Sequence, residues 1–315
     1  MRSQAAARAL ALAWCALPVV PAAAQGLFDV GDDARRVGTG SISFGVHQSR
    51  GEGTFAGSGE VFPLGDVDTR AALVGFEYRF APRWTIEAQL PFVRRRHVGP
   101  PTHNPARLVP LRPSLPRVDD GDWHGGLQDF SATLRYDWID DAMRVRPFLG
   151  ISIPTRDYPF FGNSAIGTRL VKGRLGVEVV RPIGLSDFYW RGEYAYEVIE
   201  RSYEGVSTNA HLGELELGWF ANPRLRVRGF VSVRDGKGLP DDADFAGRTN
   251  LRWYFHDRNV RHNATVAGLG AEYALGERWS LSVLGQRLIS GEAIHRIRFA
   301  GTVQVTRHFG GGQGD

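Results

Sequence analysis

The 315-residue sequence predicts an all-β fold: a transmembrane antiparallel β-barrel of about 12 strands, with short periplasmic turns and long extracellular loops. Three observations predict it. Apolar and polar residues alternate through most of the chain, and the connections alternate between tight and long. Beyond the N-terminal leader, no stretch reaches the roughly 18 apolar residues of a membrane-crossing helix. A barrel crosses by pairing its backbone groups between its own strands, so low mean hydropathy does not count against a membrane.

The elements follow in order. Residues 1–24 read as a cleavable signal peptide. Arg2 and Arg8 are basic, Ala9 to Val20 are apolar, and Ala22-Ala23-Ala24 offers small side chains to a peptidase ahead of Gln25. Residues 25–315 then form the outer-membrane barrel domain. Cys15, the one cysteine, falls in the leader, and Trp14 before it argues against a lipid-modified N-terminus. The mature chain is thereby left without disulfides, thiolate metal sites or cysteine nucleophiles. The formal net charge of +4 falls by two with the leader, which gives no case for a nucleic-acid partner.

About twelve alternating segments follow, at 40–48, 69–80, 84–97, 127–139, 143–154, 169–181, 187–198, 210–220, 225–234, 264–275, 279–290 and 295–309. In the clearest, Ala72, Val74, Phe76, Tyr78 and Phe80 are separated by Leu73, Gly75, Glu77 and Arg79. Residues two apart share a face, so one face is apolar and the other carries charge. The apolar face is expected toward lipid and the ionised face toward a wet lumen. So much continuous apolar surface exceeds what a soluble barrel packs inside itself, and the opposite face is rich in Glu, Arg, Gln, Gly and Ser.

The connections Ala81-Pro82-Arg83, Asp140-Asp141-Ala142, Ala221-Asn222-Pro223-Arg224 and Gly276-Glu277-Arg278 are tight. Long polar segments near 49–68, 98–126, 155–168, 199–209 and 235–263 lie between them and are expected on the extracellular side. Three tight turns are flanked by aromatic residues, as in Tyr78 to Trp84, Trp219 to Leu225 and Tyr273 to Trp279. Such rings favour the membrane–water interface. Phe309 closes the last strand, followed by Gly310 to Asp315.

The hairpin Gly75 to Phe92, the stretch Gly126-Leu127-Gln128-Asp129-Phe130 and the strand ending Leu149-Gly150-Ile151-Ser152-Ile153-Pro154-Thr155 carry a resemblance beyond architecture. Together with the leader, they make the chain resemble the "MetA-pathway of phenol degradation" family of outer-membrane transporters. The resemblance implies passive uptake of small molecules, aromatic or hydrophobic ones among them.

Alternation places Glu77, Arg79, Glu87, Asp129, Arg135, Asp137, Arg144, Arg146, Arg174, Glu178, Arg191, Glu193, Glu197, Glu214, Glu216, Arg226, Arg228, Glu272 and Arg298 in the lumen. Such charges either sort solutes by sign or brace the lumen as paired ions. Both signs occur in similar numbers, which favours bracing. Arg144, Arg146, Arg226 and Arg228 at alternate positions suit anions as a basic ladder, while Glu214 and Glu216 on the neighbouring strand would neutralise it.

His256-Asp257 and His262-Asn263 are read as surface-loop residues, because no nucleophile stands at a recognisable spacing and two histidines define no metal geometry. Asp120-Gly121-Asp122 is too short a fragment for a calcium loop. Pro100, Pro101, Pro105, Pro110, Pro113 and Pro116 stiffen the second long loop. No cofactor and no catalytic residue is expected. The partners expected are membrane lipid, small solutes and the outer-membrane assembly machinery. A closed structural barrel acting through its loops is the alternative, and an outer-membrane lipid hydrolase is a third.

Overall fold

The computed structural model describes residues 36–55, 60–100, 118–140, 143–239 and 251–310. The segment 1–24 expected to be a signal peptide, Pro101, Pro105, Pro110, Pro113, Pro116 and the tail beyond Gly310 lie outside the described residues.

The strands are β1 (Gly40–Phe55), β2 (Val61–Ala81), β3 (Trp84–Val98), β4 (His124–Leu127), β5 (Asp129–Tyr136), β6 (Ile139–Asp140), β7 (Arg144–Pro154), β8 (Lys172–Pro182), β9 (Phe188–Ile199), β10 (Ala210–Asn222), β11 (Leu225–Gly236), β12 (Asn263–Ala274), β13 (Trp279–Glu292) and β14 (Ile294–Phe309). The short segments β4, β5 and β6 follow one another along a single stave. The sheet is therefore a closed antiparallel barrel of 12 staves. Closure is made by β1 and β14, paired from Gly40↔Phe309 to Phe55↔Ile294. No edge is left to aggregate. Two short helices, α1 (Leu251–Tyr254) and α2 (His256–Asn259), interrupt the connection between β11 and β12.

The two faces divide as the alternation requires. Ile42, Phe44 and Val46 on β1, Leu215, Leu217 and Trp219 on β10, and Val303 and Val305 on β14 are exposed on the outer wall. Ser41, Ser43 and His47 on β1, Glu178 on β8 and Glu216 on β10 are buried within. At the tight-turn end the outer wall carries Phe80, Trp84, Trp138, Phe188, Trp219, Tyr273 and Trp279, all exposed. Phe188 stacks on Trp219 at 6.1 Å and Trp84 leans on Tyr136 at 4.8 Å. This is an interfacial aromatic girdle.

The structure departs from the expected loops in two places. Most of 49–68 is strand, because β1 and β2 continue as a paired hairpin flanked by β14 and β3. Charged residues enter its outward face there, with Arg50 bonded to Asp66 at 2.8 Å, so the apolar alternation fades although the pairing continues. The second departure is larger. Within 155–168, Tyr158 and everything from Phe160 to Gly167 is buried, and the segment folds into the lumen. His256 and His262 are likewise enclosed, not on the surface.

Candidate functional site

Strand register sets the geometry of the lumen, which has three levels. Nearest the tight turns is a lattice of ions. Arg146 on β7 is paired directly with Glu178 on β8 and donates through Nε to its Oε1 at 2.6 Å. Arg191 on β9 donates to the other oxygen at 2.8 Å, and Arg135 on β5 lies 3.9 Å away. Glu178 thus sits, fully enclosed, among three guanidiniums. Arg135 also binds Glu87 at 2.7 Å, and Arg191 reaches Glu193 at 2.8 Å and Glu214 at 2.5 Å.

The lattice continues around the wall through Arg228 with Glu216 at 2.7 Å and Arg226 with Glu272 at 2.5 Å. On the opposite flank Arg79 meets Asp137 at 2.8 Å. Glu77 and Glu87 oppose each other across β2 and β3. Tyr189 donates to Glu216 at 2.6 Å, and its ring fills the space beside Gly218, where a Cβ would lie 2.1 Å from it. Taking ions out of water costs several kcal/mol each, which close hydrogen-bonded counter-charges must offset. The arrangement therefore braces the wall and leaves few charges free to attract a solute.

Above the lattice is a cavity of about 270 Å³. Arg191, Glu193 and Glu214 form its floor, and Thr168, Leu170 and Arg258 its roof. In its side wall Glu197 accepts from Arg174 at 2.8 Å and from Arg234 at 2.7 Å.

The roof belongs to the third level, a ceiling made by residues 155–171 and the α1–α2 segment. The Tyr158 hydroxyl donates to Asp129 on β5 and accepts from the Arg169 backbone N–H at 3.1 Å. Arg95 on β3 donates to the Ala165 carbonyl at 3.1 Å. Arg258 lies 3.4 Å from the centre of the Phe160 ring and donates to the Thr168 and Arg169 carbonyls at 2.7 and 3.1 Å. Phe160, Phe161 and Trp253 pack into a buried apolar cluster with Phe230, Leu284, Leu288, Ile294 and Ile297 from the wall. The His256 ring stacks on Trp253 at 4.0 Å. Gly162 takes a φ of +114°, a conformation that favours glycine, at the turn of the segment against Val118.

Burial inside the ceiling, with Arg169 beside it, pushes the Arg258 guanidinium down to about 10, so it remains a cation at neutral pH. Burial holds the His262 imidazole below its ordinary value, partly offset by the Ala293 and Asp257 carbonyls facing its two nitrogens.

The expected lumen residues divide clearly. Glu77, Arg79, Glu87, Asp129, Arg135, Asp137, Arg144, Arg146, Arg174, Glu178, Arg191, Glu193, Glu197, Glu214, Glu216, Arg226, Arg228 and Glu272 are buried or half-buried on the inner side of the wall. Arg298 is not among them. It occupies a bulge in β14, where pairing jumps from Arg50↔Phe299 to Gly51↔Ile297. The extra residue turns Arg298 outward, exposed, to Glu52 at 2.6 Å. Arg95, Lys172, Tyr189 and Arg234 have inward parity that the same alternation could have supplied. Tyr158 and Arg258 lie outside the strands, in a loop and in α2, where alternation gives no such signal. Asp120 is occupied locally, bonded to His124 at 2.7 Å.

A closed barrel with an apolar outer wall, an aromatic girdle and an ionised interior defines the class: the chain is an outer-membrane β-barrel. Among solved structures it is similar to the COG4313 outer membrane channel from Pseudomonas putida F1, with a TM-score of 0.64 and 15% identity over 87% of this chain and 96% of that one. The NanC porin matches with a TM-score of 0.48 and 10% identity, over 84% and 98% of the two chains. The deltaS2 mutant of the TodX monoaromatic hydrocarbon channel gives 0.43 and 9%, over 88% and 92%. No protein-family model and no curated protein matches the sequence.

Proposed function

We propose that this protein is a passive channel for small solutes, exported behind residues 1–24 as a signal peptide and inserted by the outer-membrane assembly machinery. The observation that carries the reading is the cavity of about 270 Å³ between the ion lattice and the ceiling. It lies just below the usual range of drug-sized pockets, roughly 300–1,000 Å³, so the cargo is a small molecule. Leu170, Ile199 and Val266 share its lining with Gln128, Thr133 and Ser152. Set among lining charges such as Arg191, Glu214, Arg174 and Glu197 that are paired with one another, that mixture suits a compact, largely uncharged solute with an apolar face, including aromatic ones. The resemblance of the Gly75 to Phe92 hairpin to the MetA-pathway transporters supports the same cargo class.

A second reading has its own support. The ceiling is packed as a protein interior, with Trp253 and Phe161 almost fully buried, as in a closed structural barrel. Liposome swelling with neutral, acidic and aromatic solutes separates the two. Swelling by small neutral or aromatic solutes is expected, and it should increase severalfold when Phe161→Ala and Trp253→Ala loosen the ceiling. A folded barrel that admits nothing in either form would sink the channel reading.

A further inference from the structure

The outer wall carries a charge boundary that solute passage does not use. Across β1, β2 and β3, the outward residues Val46, Ala72 and Phe92 form one row of paired positions. One step farther from the tight turns the row is Gln48, Arg70 and Arg94, and the next is Arg50, Asp68 and Arg96. A two-residue step along a strand is roughly 7 Å. The wall therefore changes from apolar side chains to guanidinium within one step, the change expected where acyl chains give way to headgroups.

Trp123, just ahead of β4, covers the patch, with the guanidiniums of Arg70, Arg96 and Arg94 at 4.7, 5.1 and 5.9 Å from its ring. Asp66 engages Arg50 and Asp68 engages Arg96. Arg70 and Arg94 have no carboxylate partner among the described residues, although they stand directly opposite each other across β2 and β3. Like charges in that relation are destabilising, and a bridging anion reverses the sign. Guanidinium forks fit phosphate oxygens two at a time, and an indole ring is at home beside a lipid headgroup.

We propose that Arg70, Arg94 and Arg96, with Trp123, form a docking site for a phosphorylated lipid headgroup in the outer leaflet. The charge matches, and the apolar row beneath offers Phe92 and Ala72 to the acyl chains of the same molecule. This site is independent of whether the lumen conducts.

The test is binding of bisphosphorylated lipid A to the full barrel in neutral detergent, followed by native mass spectrometry. Dephosphorylated lipid A and inorganic phosphate serve as comparison probes. Retention of lipid A is expected, weakened by about tenfold or more in the Arg70→Gln, Arg94→Gln double variant. The Arg70→Lys, Arg94→Lys variant, which keeps the charge and loses the fork, should fall between them. Arg287→Gln, which removes an exposed arginine from β13, should bind as the parent does. Heat-modifiable migration checks that each variant is folded. Equal retention of the dephosphorylated lipid, equal retention by the double variant, or inorganic phosphate competing as strongly as the lipid would each overturn the proposal.

Discussion

The floor and the ceiling of the lumen are held by opposite means. The floor is an ion lattice on neighbouring strands, fixed by backbone register, and Glu178 alone gathers Arg146, Arg191 and Arg135. The ceiling is a loop and two short helices held by buried rings and a few side-chain bonds to carbonyls. Removing one ion from the floor strands the others, because their desolvation has already been incurred. Removing one contact from the ceiling leaves the rest in place. The floor should therefore fail steeply and the ceiling gradually, so the ceiling is the part of the barrel able to yield to a solute.

The largest effect is expected at the floor. Glu178→Gln keeps the volume and deletes the charge on which three guanidiniums converge. The loss should be about 3–5 kcal/mol, measured as a lower midpoint for heat-modified migration or urea unfolding. The same change should shift the reversal potential toward anion preference, since positive charge is released into the lumen. An unshifted midpoint would show that the wall does not depend on the lattice and would erase the contrast with the ceiling.

A smaller effect belongs to Tyr158→Phe. The hydroxyl bonds both Asp129 on the wall and the Arg169 backbone, so its loss should cost about 1–2 kcal/mol, confined to the ceiling. Amide exchange across 156–168 should accelerate while the strands keep their protection. If global unfolding moves as far as the local exchange, the two levels form one cooperative unit.

The same contrast explains what was legible in the sequence. The inward charges of the floor keep the even spacing of their strands, as in Glu214 and Glu216 or Arg226 and Arg228. A period of two determines their face once lipid and lumen are distinguished. Alternation failed at Arg298 because a bulge inserts one residue, and nothing in Ile297-Arg298-Phe299 marks it. The inward folding of 155–168 had no such pattern to follow. Its aromatic pair Phe160 and Phe161 reads equally well as an extracellular tip, and its direction is set by contacts with Trp253 and Phe230, remote in sequence. The patch around Trp123 was hidden differently, since three consecutive arginines, Arg94 to Arg96, mask an alternation in which only Arg95 turns inward.

The smallest expected effect is a dependence of the ceiling on pH. His262 lies just before β12, with Ala293 and Asp257 carbonyls at its nitrogens and Arg234 nearby. Burial depresses its affinity for a proton relative to the unfolded chain. Folding thus favours the neutral ring, and this contribution is complete above the ordinary histidine value of 6.5. It is lost as pH falls through that value toward the depressed one. One proton limits the slope to about 1.4 kcal/mol per pH unit, and the two carbonyls, which welcome a protonated ring, lessen it further. Protection of the 251–262 amides, taken relative to their intrinsic exchange rate at each pH, should therefore fall between about pH 7.5 and about pH 5.5, while protection in β8 and β9 stays level. The dependence should vanish in His262→Asn, which retains a donor and an acceptor and does not titrate. Should the variant keep the full pH response, the proton acts elsewhere, and the ceiling would not be the level that acid loosens first.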